Sequence, residues 1–161
     1  GAGFDMSFLS FLEVDVEGNV NVSKLGKKPY LTAGCGGFVD ITAHARKVVF
    51  SGWFEAGAQI ELTDEGLKVV TPGKFTKMVE AVEHVTFSGE RAREQGQDVL
   101  YVTERCVMRL GDSGLVALEI MPGIDPQRDI VAASSGRVSV APGAITLPLS
   151  LLRDAPMGWG A

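Results

Sequence analysis

The sequence predicts an α/β fold in which a mixed β-sheet is flanked by helices, and three kinds of pattern point to it. Lys47-Val48-Val49-Phe50 is a short apolar run of the kind found in buried, largely parallel strands. Two segments, 11–22 and 58–71, alternate apolar and polar residues on either side of a glycine-containing turn, which is a hairpin signature. Between the strand signals lie short stretches read as helical, at 38–45 and 90–97. A chain of 161 residues is long enough for one domain with a real core.

The elements follow in order. In the first hairpin, Phe11-Leu12-Glu13-Val14-Asp15-Val16 alternates apolar with acidic residues, Glu17-Gly18 supplies the turn, and Asn19-Val20-Asn21-Val22 resumes the alternation. Residues 24–28 form a basic, glycine-containing loop, and Pro29-Tyr30-Leu31 leads into a glycine run. Apolar residues at 38, 41 and 45 predict a short amphipathic helix whose free N–H groups point back at that run. After the strand at 47–50, a second hairpin pairs 58–63 with 67–71 around Asp64-Glu65-Gly66, and Pro72-Gly73 ends it. The stretch 74–87 reads two ways: Phe75, Met78, Val79 and Val82 fit a helical face, whereas Val85-Thr86-Phe87 fits a strand.

Residues 90–97 predict a polar, exposed helix that stops at Gly96, and 99–110 read as one long β segment. Gly111-Asp112-Ser113-Gly114 then turns the chain into a returning strand at 115–120, closed by Pro122-Gly123. A short helix is expected over 126–133, with Asp125 as N-cap and Pro126 at its first position. Composition divides the chain into 1–133 and a tail rich in Gly, Pro and Ala, 134–161, expected to be partly disordered.

Charge and cysteine usage exclude several function classes. Twenty acidic against 15 basic side chains give a net charge of −5, spread in short alternations rather than blocks. Nucleic acid is thereby disfavoured as a partner, because phosphate binding needs a clustered basic face. No apolar stretch approaches the roughly twenty residues of a membrane-spanning helix. The N-terminus shows no positive region followed by an apolar run and a cleavage site, so the chain is read as cytoplasmic, with no membrane partner. Cys35 and Cys106 are read as reduced, and the isolated His44 and His84 give no metal-ligand spacing, so no metal is expected.

The most informative feature is Gly34-Cys35-Gly36-Gly37, opening onto Phe38-Val39-Asp40-Ile41. Three glycines in four positions leave backbone N–H groups uncovered, so the loop can approach an anionic ligand closely or form an oxyanion nest. A Cys35 nucleophile would need a base, and His44 is the one close candidate in sequence. Asp40 is read as bonding the N-terminus of its own helix.

Seven ordered blocks carry a resemblance to a known family. They are Glu13-Val14-Asp15 with Gly18-Asn19-Val20-Asn21-Val22-Ser23; Gly34-Cys35-Gly36-Gly37-Phe38-Val39-Asp40-Ile41; Lys47-Val48-Val49-Phe50; Val85-Thr86-Phe87-Ser88-Gly89; Tyr101-Val102-Thr103-Glu104-Arg105-Cys106-Val107; and Glu119-Ile120-Met121-Pro122-Gly123-Ile124-Asp125. In this order and spacing, over roughly residues 3–133, the chain resembles the type I acyl-CoA transferases of the acetate, propionate and 3-oxoacid kind. It looks like the C-terminal part of their second, or beta, half. The resemblance implies the three-layer CoA-transferase architecture with its N-terminal strands missing.

It also implies CoA transfer between an acyl-CoA and a short carboxylate through a glutamyl-CoA thioester, with coenzyme A as substrate and no permanent cofactor. Matched residue by residue, Gly34, Gly36 and Gly37 form the family's CoA-contacting loop, with the backbone of Gly36 or Gly37 as oxyanion donor. Cys35 falls at the loop's variable position, which argues against a nucleophile there. Asn19 and Asn21 are read as turn residues whose amides bond the backbone, with Asn21 and Ser23 at the rim of the CoA pocket as the alternative, and Lys24, Lys27 and Lys28 either as a solvated loop or as partners of CoA phosphates. The family's nucleophilic glutamate sits in an E-x-G-x-x-G-type segment upstream of the hairpin and has no counterpart here. Glu55-Ala56-Gly57 matches E-x-G but lacks the next glycine, so Glu55 is not assigned that role. Glu104 and Arg105 are read as a structural ion pair. The implied partners are acyl-CoA, a short-chain carboxylate, and the N-terminal half of the same enzyme or a second subunit, in an oligomer. A non-catalytic CoA-binding or assembly module is the alternative.

Overall fold

The computed structural model describes residues 6–22 and 45–153. Its first strands are β1 (Met6–Ser10), β2 (Glu13–Asp15), β3 (Val20–Asn21), β4 (Lys47–Ser51) and β5 (Glu55–Ala56). Next come β6 (Gln59–Thr63), β7 (Gly66–Thr71), β8 (Phe75–Thr76), β9 (Met78–Val79) and helix α1 (Gly89–Glu94). The chain continues through β10 (Asp98–Val102), β11 (Cys106–Gly111), β12 (Gly114–Ile120), β13 (Val138–Thr146) and helix α2 (Ser150–Arg153).

Six strands form the main sheet in the order β1-β4-β10-β11-β12-β13. β1, β4 and β10 run parallel, β11 is antiparallel to both its neighbours, and β13 is parallel to β12. The sheet is therefore mixed, as the sequence predicts. The run at 47–50 becomes β4, buried at Val48 and Phe50 and paired on both sides, which is why its residues are almost continuously apolar. Phe50 anchors the core: its ring meets Phe87 edge-on at 4.9 Å and stacks on Tyr101 at 5.9 Å. Burying such a side chain contributes about 2–3 kcal/mol.

Both expected hairpins form. β2 pairs with β3 across the turn at Gly18, whose φ of +78° suits glycine, and β6 pairs with β7. A small sheet, β3-β2-β9, lies beside the main one. α1 starts at the N-cap Ser88, whose Oγ accepts from Arg91 N at 3.2 Å, and the chain turns at Gly96.

Four expectations change in the structure. The segment 99–110 is two antiparallel strands, because the chain reverses at 103–105. The stretch 74–87 is not helical; it supplies the two-residue strands β8 and β9 and a bridge from Phe87 to Val20. The helix at 126–133 is a π-helical turn (Pro126–Val131) followed by a 3₁₀ turn (Ala132–Ser134); Asp125 caps it as expected, accepting from Gln127 N and Arg128 N. The stretch set apart in the sequence as a partly disordered tail contributes the nine-residue strand β13 and α2. The helix expected over 38–45 lies, apart from Ala45, outside the described residues.

Candidate functional site

The parallel run of β1, β4 and β10 brings three carboxyl ends to one edge of the sheet, the place where open α/β sheets hold their ligands. The chain leaves these strands through Phe11, Gly52 and Thr103. Backbone bonds stitch the exits together: Phe11 N donates to Ser51 O at 2.9 Å, and Gly52 N to Val102 O at 3.0 Å. A Cβ at Gly52 would lie 2.8 Å from the Phe11 ring, so the close approach of these two exits depends on glycine.

Arg105 is the hub of this edge. It is fully buried, and all three guanidinium nitrogens donate: Nε to Glu104 Oε2 at 2.8 Å, Nη2 to Glu55 Oε1 at 2.6 Å, and Nη1 to Asp129 O at 2.8 Å. The guanidinium also stands over the Phe54 ring, 5.0 Å from its centroid. Glu104 Oε1 accepts from Phe54 N at 3.0 Å, and Glu55 Oε1 accepts from Gly73 N at 3.2 Å. Burial pushes the Glu104 carboxyl above its ordinary range, against the opposing pull of Arg105.

The turn that presents this pair is built by Thr103, whose Oγ1 accepts from Arg105 N at 3.1 Å and Cys106 N at 3.3 Å. The arrangement ties the exits of β4 and β10 to the helical turn at Asp129. Its charges are spent on one another, which suits a brace better than an acid, base or nucleophile. Cys106, immediately after it, is a free thiol that burial pushes up to about 12, so it is protonated and inert at neutral pH.

The hairpin β2–β3 starts beside the exit of β1, carries its turn at Gly18 to Tyr101 and Leu110, and is locked from three sides. The Asp15 carboxylate accepts from Glu17 N, Asn19 N, Asn19 Nδ2 and Val82 N, at 2.9, 3.0, 3.3 and 3.1 Å. Asn19 Oδ1 accepts from Gly89 N at 2.9 Å, and the Tyr101 hydroxyl donates to Gly18 O at 2.6 Å. Burial, then the nearby Asp15 charge, raises the Tyr101 phenol far above its usual value and keeps it a donor. Asn21 is fully buried in β3; its Nδ2 donates to Glu13 Oε2 at 3.1 Å, and that oxygen also accepts from Glu83 N at 2.7 Å.

Of the residues singled out in the sequence, Asn19 is the turn residue expected, with its amide on backbone, while Asn21 is a strand residue bonded to a side chain. Ser23, Lys24, Lys27, Lys28, Gly34, Cys35, Gly36, Gly37, Asp40 and His44 lie outside the described residues. Glu104 and Arg105 form the ion pair expected of them, but the sequence reading missed Glu55 as their third member. The one local signal was the pair of charges interrupting an otherwise apolar β segment.

No family model matches the chain. It is 41% identical over 160 residues to the acetate CoA-transferase YdiF of Escherichia coli K12, across 99% of this chain and 30% of that protein. It is 46% identical over 134 residues to the caffeate CoA-transferase of Acetobacterium woodii, across 81% of this chain and 25% of that one. The chain belongs to the CoA-transferase family. It spans about 30% of the length of the first of these curated relatives.

The architecture of this CoA-transferase segment agrees with that assignment. It matches the crystal structure of the acyl-CoA transferase YdiF of Escherichia coli O157:H7, a thioester complex with CoA, with a TM-score of 0.81 and 38% identity. That match covers 97% of this chain and 30% of the other. Away from the brace, at the amino end of β10, a cavity of about 230 Å³ is lined by Arg93, Gln97, Asp98, Tyr101 and Arg109 among others. Its charges are partly paired: Arg109 Nη1 stands 2.8 Å from Asp98 Oδ1, and Arg93 Nη2 donates to Gly111 O. Among the described residues no group of three His, Cys, Asp or Glu side chains is placed to hold a metal ion, and no helix is long and apolar enough to cross a membrane.

Proposed function

We propose that this chain is the part of an acyl-CoA transferase that supplies the glycine loop for CoA and for the reacting oxyanion, and that the nucleophilic glutamate stands elsewhere in the enzyme. The observation that carries this reading is the likeness to a transferase solved as a thioester complex with CoA, joined to the Gly34-Cys35-Gly36-Gly37 run.

The glutamate carboxylate attacks the acyl-CoA carbonyl and expels the CoA thiolate, leaving an acyl-glutamyl anhydride. The thiolate then attacks the glutamyl carbonyl, releasing the donor's carboxylate and forming glutamyl-CoA. The acceptor carboxylate repeats these two steps in reverse and leaves as its CoA thioester. A carboxylate is a weak nucleophile in water, so each addition needs N–H donors aimed at the developing oxyanion. The backbone of Gly36 or Gly37 fills that role, Gly34 and Cys35 lie along the CoA, and Ser23 belongs to the approach to it, whereas the buried Asn21, with its amide on Glu13, holds the hairpin.

Glu55 is not the missing nucleophile, since its carboxylate is engaged by Arg105 and Gly73 N. The chain alone is therefore inactive, and its partners are an acyl-CoA, a short carboxylate and the remaining part of the enzyme. The test is CoA transfer from acetyl-CoA to a panel of short carboxylates, by the chain alone and by a chimera in which it replaces the matching segment of Escherichia coli YdiF. Activity is expected in the chimera only. Gly36→Pro or Gly37→Pro, whichever removes the oxyanion N–H, is expected to lower its kcat about 10²–10³-fold. Activity of the chain alone overturns the absence of the nucleophile. A folded chimera that binds CoA without transfer supports the binding-module alternative instead.

A further inference from the structure

The edge where β1, β4 and β10 end carries one large side chain that the interior does not take up. Of the residues that leave these strands, Phe11, Phe54, Thr103, Glu104 and Arg105 are buried, and Leu12 is half-buried. Gly52 has no side chain to offer. Trp53 stands 44% exposed. Its direction follows from the alternation of β4 and its exit: Val48, Phe50 and Phe54 point into the core, whereas Ser51 and Trp53 leave on the opposite face.

The backbone under this ring is fixed on both sides. Gly52 N donates to Val102 O at 3.0 Å, Phe54 N to Glu104 Oε1 at 3.0 Å, and Lys77 N to Phe54 O at 2.8 Å. The Phe54 ring is itself held 5.0 Å from the Arg105 guanidinium. A tryptophan has only two side-chain torsions, so on a fixed backbone it loses little further freedom when a ligand packs against it. Aromatic side chains of this kind line most small-molecule sites.

We propose that Trp53 is a specificity-determining residue of the transferase site, its indole packing against the apolar part of the acyl group and limiting the chain length accepted. This rests on the reading of the chain as part of an acyl-CoA transferase, whose ligand lies at the carboxyl edge. The acyl group is the apolar and variable part of that ligand. The amides and phosphates of CoA call instead for hydrogen-bond donors and cations, which an indole face does not supply. Adenine is the other flat group of CoA, and a ring serving it would bind every CoA ester alike.

The YdiF chimera, as parent, Trp53→Phe and Trp53→Ala, separates these cases, with acetyl-, butyryl- and hexanoyl-CoA as probes read both by transfer kinetics and by calorimetric affinity. Trp53→Ala is expected to raise the hexanoyl-to-acetyl ratio of kcat/KM at least about ten-fold, since several methylenes gain room, with Trp53→Phe in between. Free CoA is expected to bind all three proteins equally. Trp53→Phe carries the test if the alanine variant does not fold. An unchanged ratio in folded variants overturns the proposal. A uniform loss of affinity for free CoA and all three esters puts the ring on adenine and overturns it as well. If the parent chimera binds the esters without transferring CoA, the catalytic reading fails and the ratio of affinities decides the role of Trp53; a parent that binds none of them overturns both.

Discussion

Arg105 Nη2 and Glu55 Oε1 stand 2.6 Å apart although fifty positions separate the two residues, and both side chains are buried. With Glu104 on the same guanidinium, this contact fixes two strand exits at the edge where the parallel strands end. Four expectations follow from the brace and its surroundings.

Arg105→Met leaves Glu104 and Glu55 buried without their cation. Removing one partner from such a pair costs roughly 3–5 kcal/mol, and a loss of that size is expected in the urea midpoint of the chain. Glu55→Gln keeps an acceptor toward Arg105 and is expected to cost distinctly less. Equal midpoints for Arg105→Met and the parent would show that the brace carries no stability.

Glu104 makes stability depend on pH with a definite sign. Burial raises its carboxyl above the ordinary value of 4.5, so the native state holds more protons than the unfolded chain. This group's contribution is therefore fully present below that value and is lost as the pH rises toward and through the folded pKa. Glu104→Gln removes the slope. Urea midpoints taken upward from pH 4.5 are expected to fall more steeply for the parent than for the variant; parallel curves would contradict this.

Tyr101→Phe removes the donor to Gly18 O and leaves a buried carbonyl unpaired at the hairpin turn. The expected cost is about 1–3 kcal/mol, with faster amide exchange at 15–20 as its local signature. An unchanged exchange pattern would mean that Asp15 and Asn19 hold the turn without it.

Cys106 is expected to resist iodoacetamide at pH 8 in the native chain and to react fully in denaturant, as read by peptide mass. Its thiol lies near a pKa of about 12 and is buried, so neither thiolate nor access is available. Rapid native labelling would show that the β10–β11 turn opens readily.

The hairpins, the strand at 47–50 and the cap at Asp125 were legible because their signals are local: alternation, a turn residue, a proline at the first helical position. The break at 103–105 was not, since Thr-Glu-Arg interrupts the apolar segment without a glycine or proline to mark a turn. The reversal is made by the Thr103 hydroxyl and by charges whose partners come from Phe54, Glu55 and Asp129. β13 was obscured by Pro142 and Gly143, which an edge strand accommodates where its register breaks. Of the candidate site, the Glu104–Arg105 pair could be read, whereas Glu55 could not, because nothing near it in sequence announces a guanidinium.

The strand order also bears on how the chain reaches its native state. β1, β4 and β10 are neighbours in the sheet but come from widely separated stretches, whereas β10, β11 and β12 are joined by short turns. Parallel pairing between distant segments requires long loops to close before any contact rewards them, which slows folding by orders of magnitude relative to local pairing. The meander at 98–120 is thus the part expected to form first, with the pairing of β1 and β4 following.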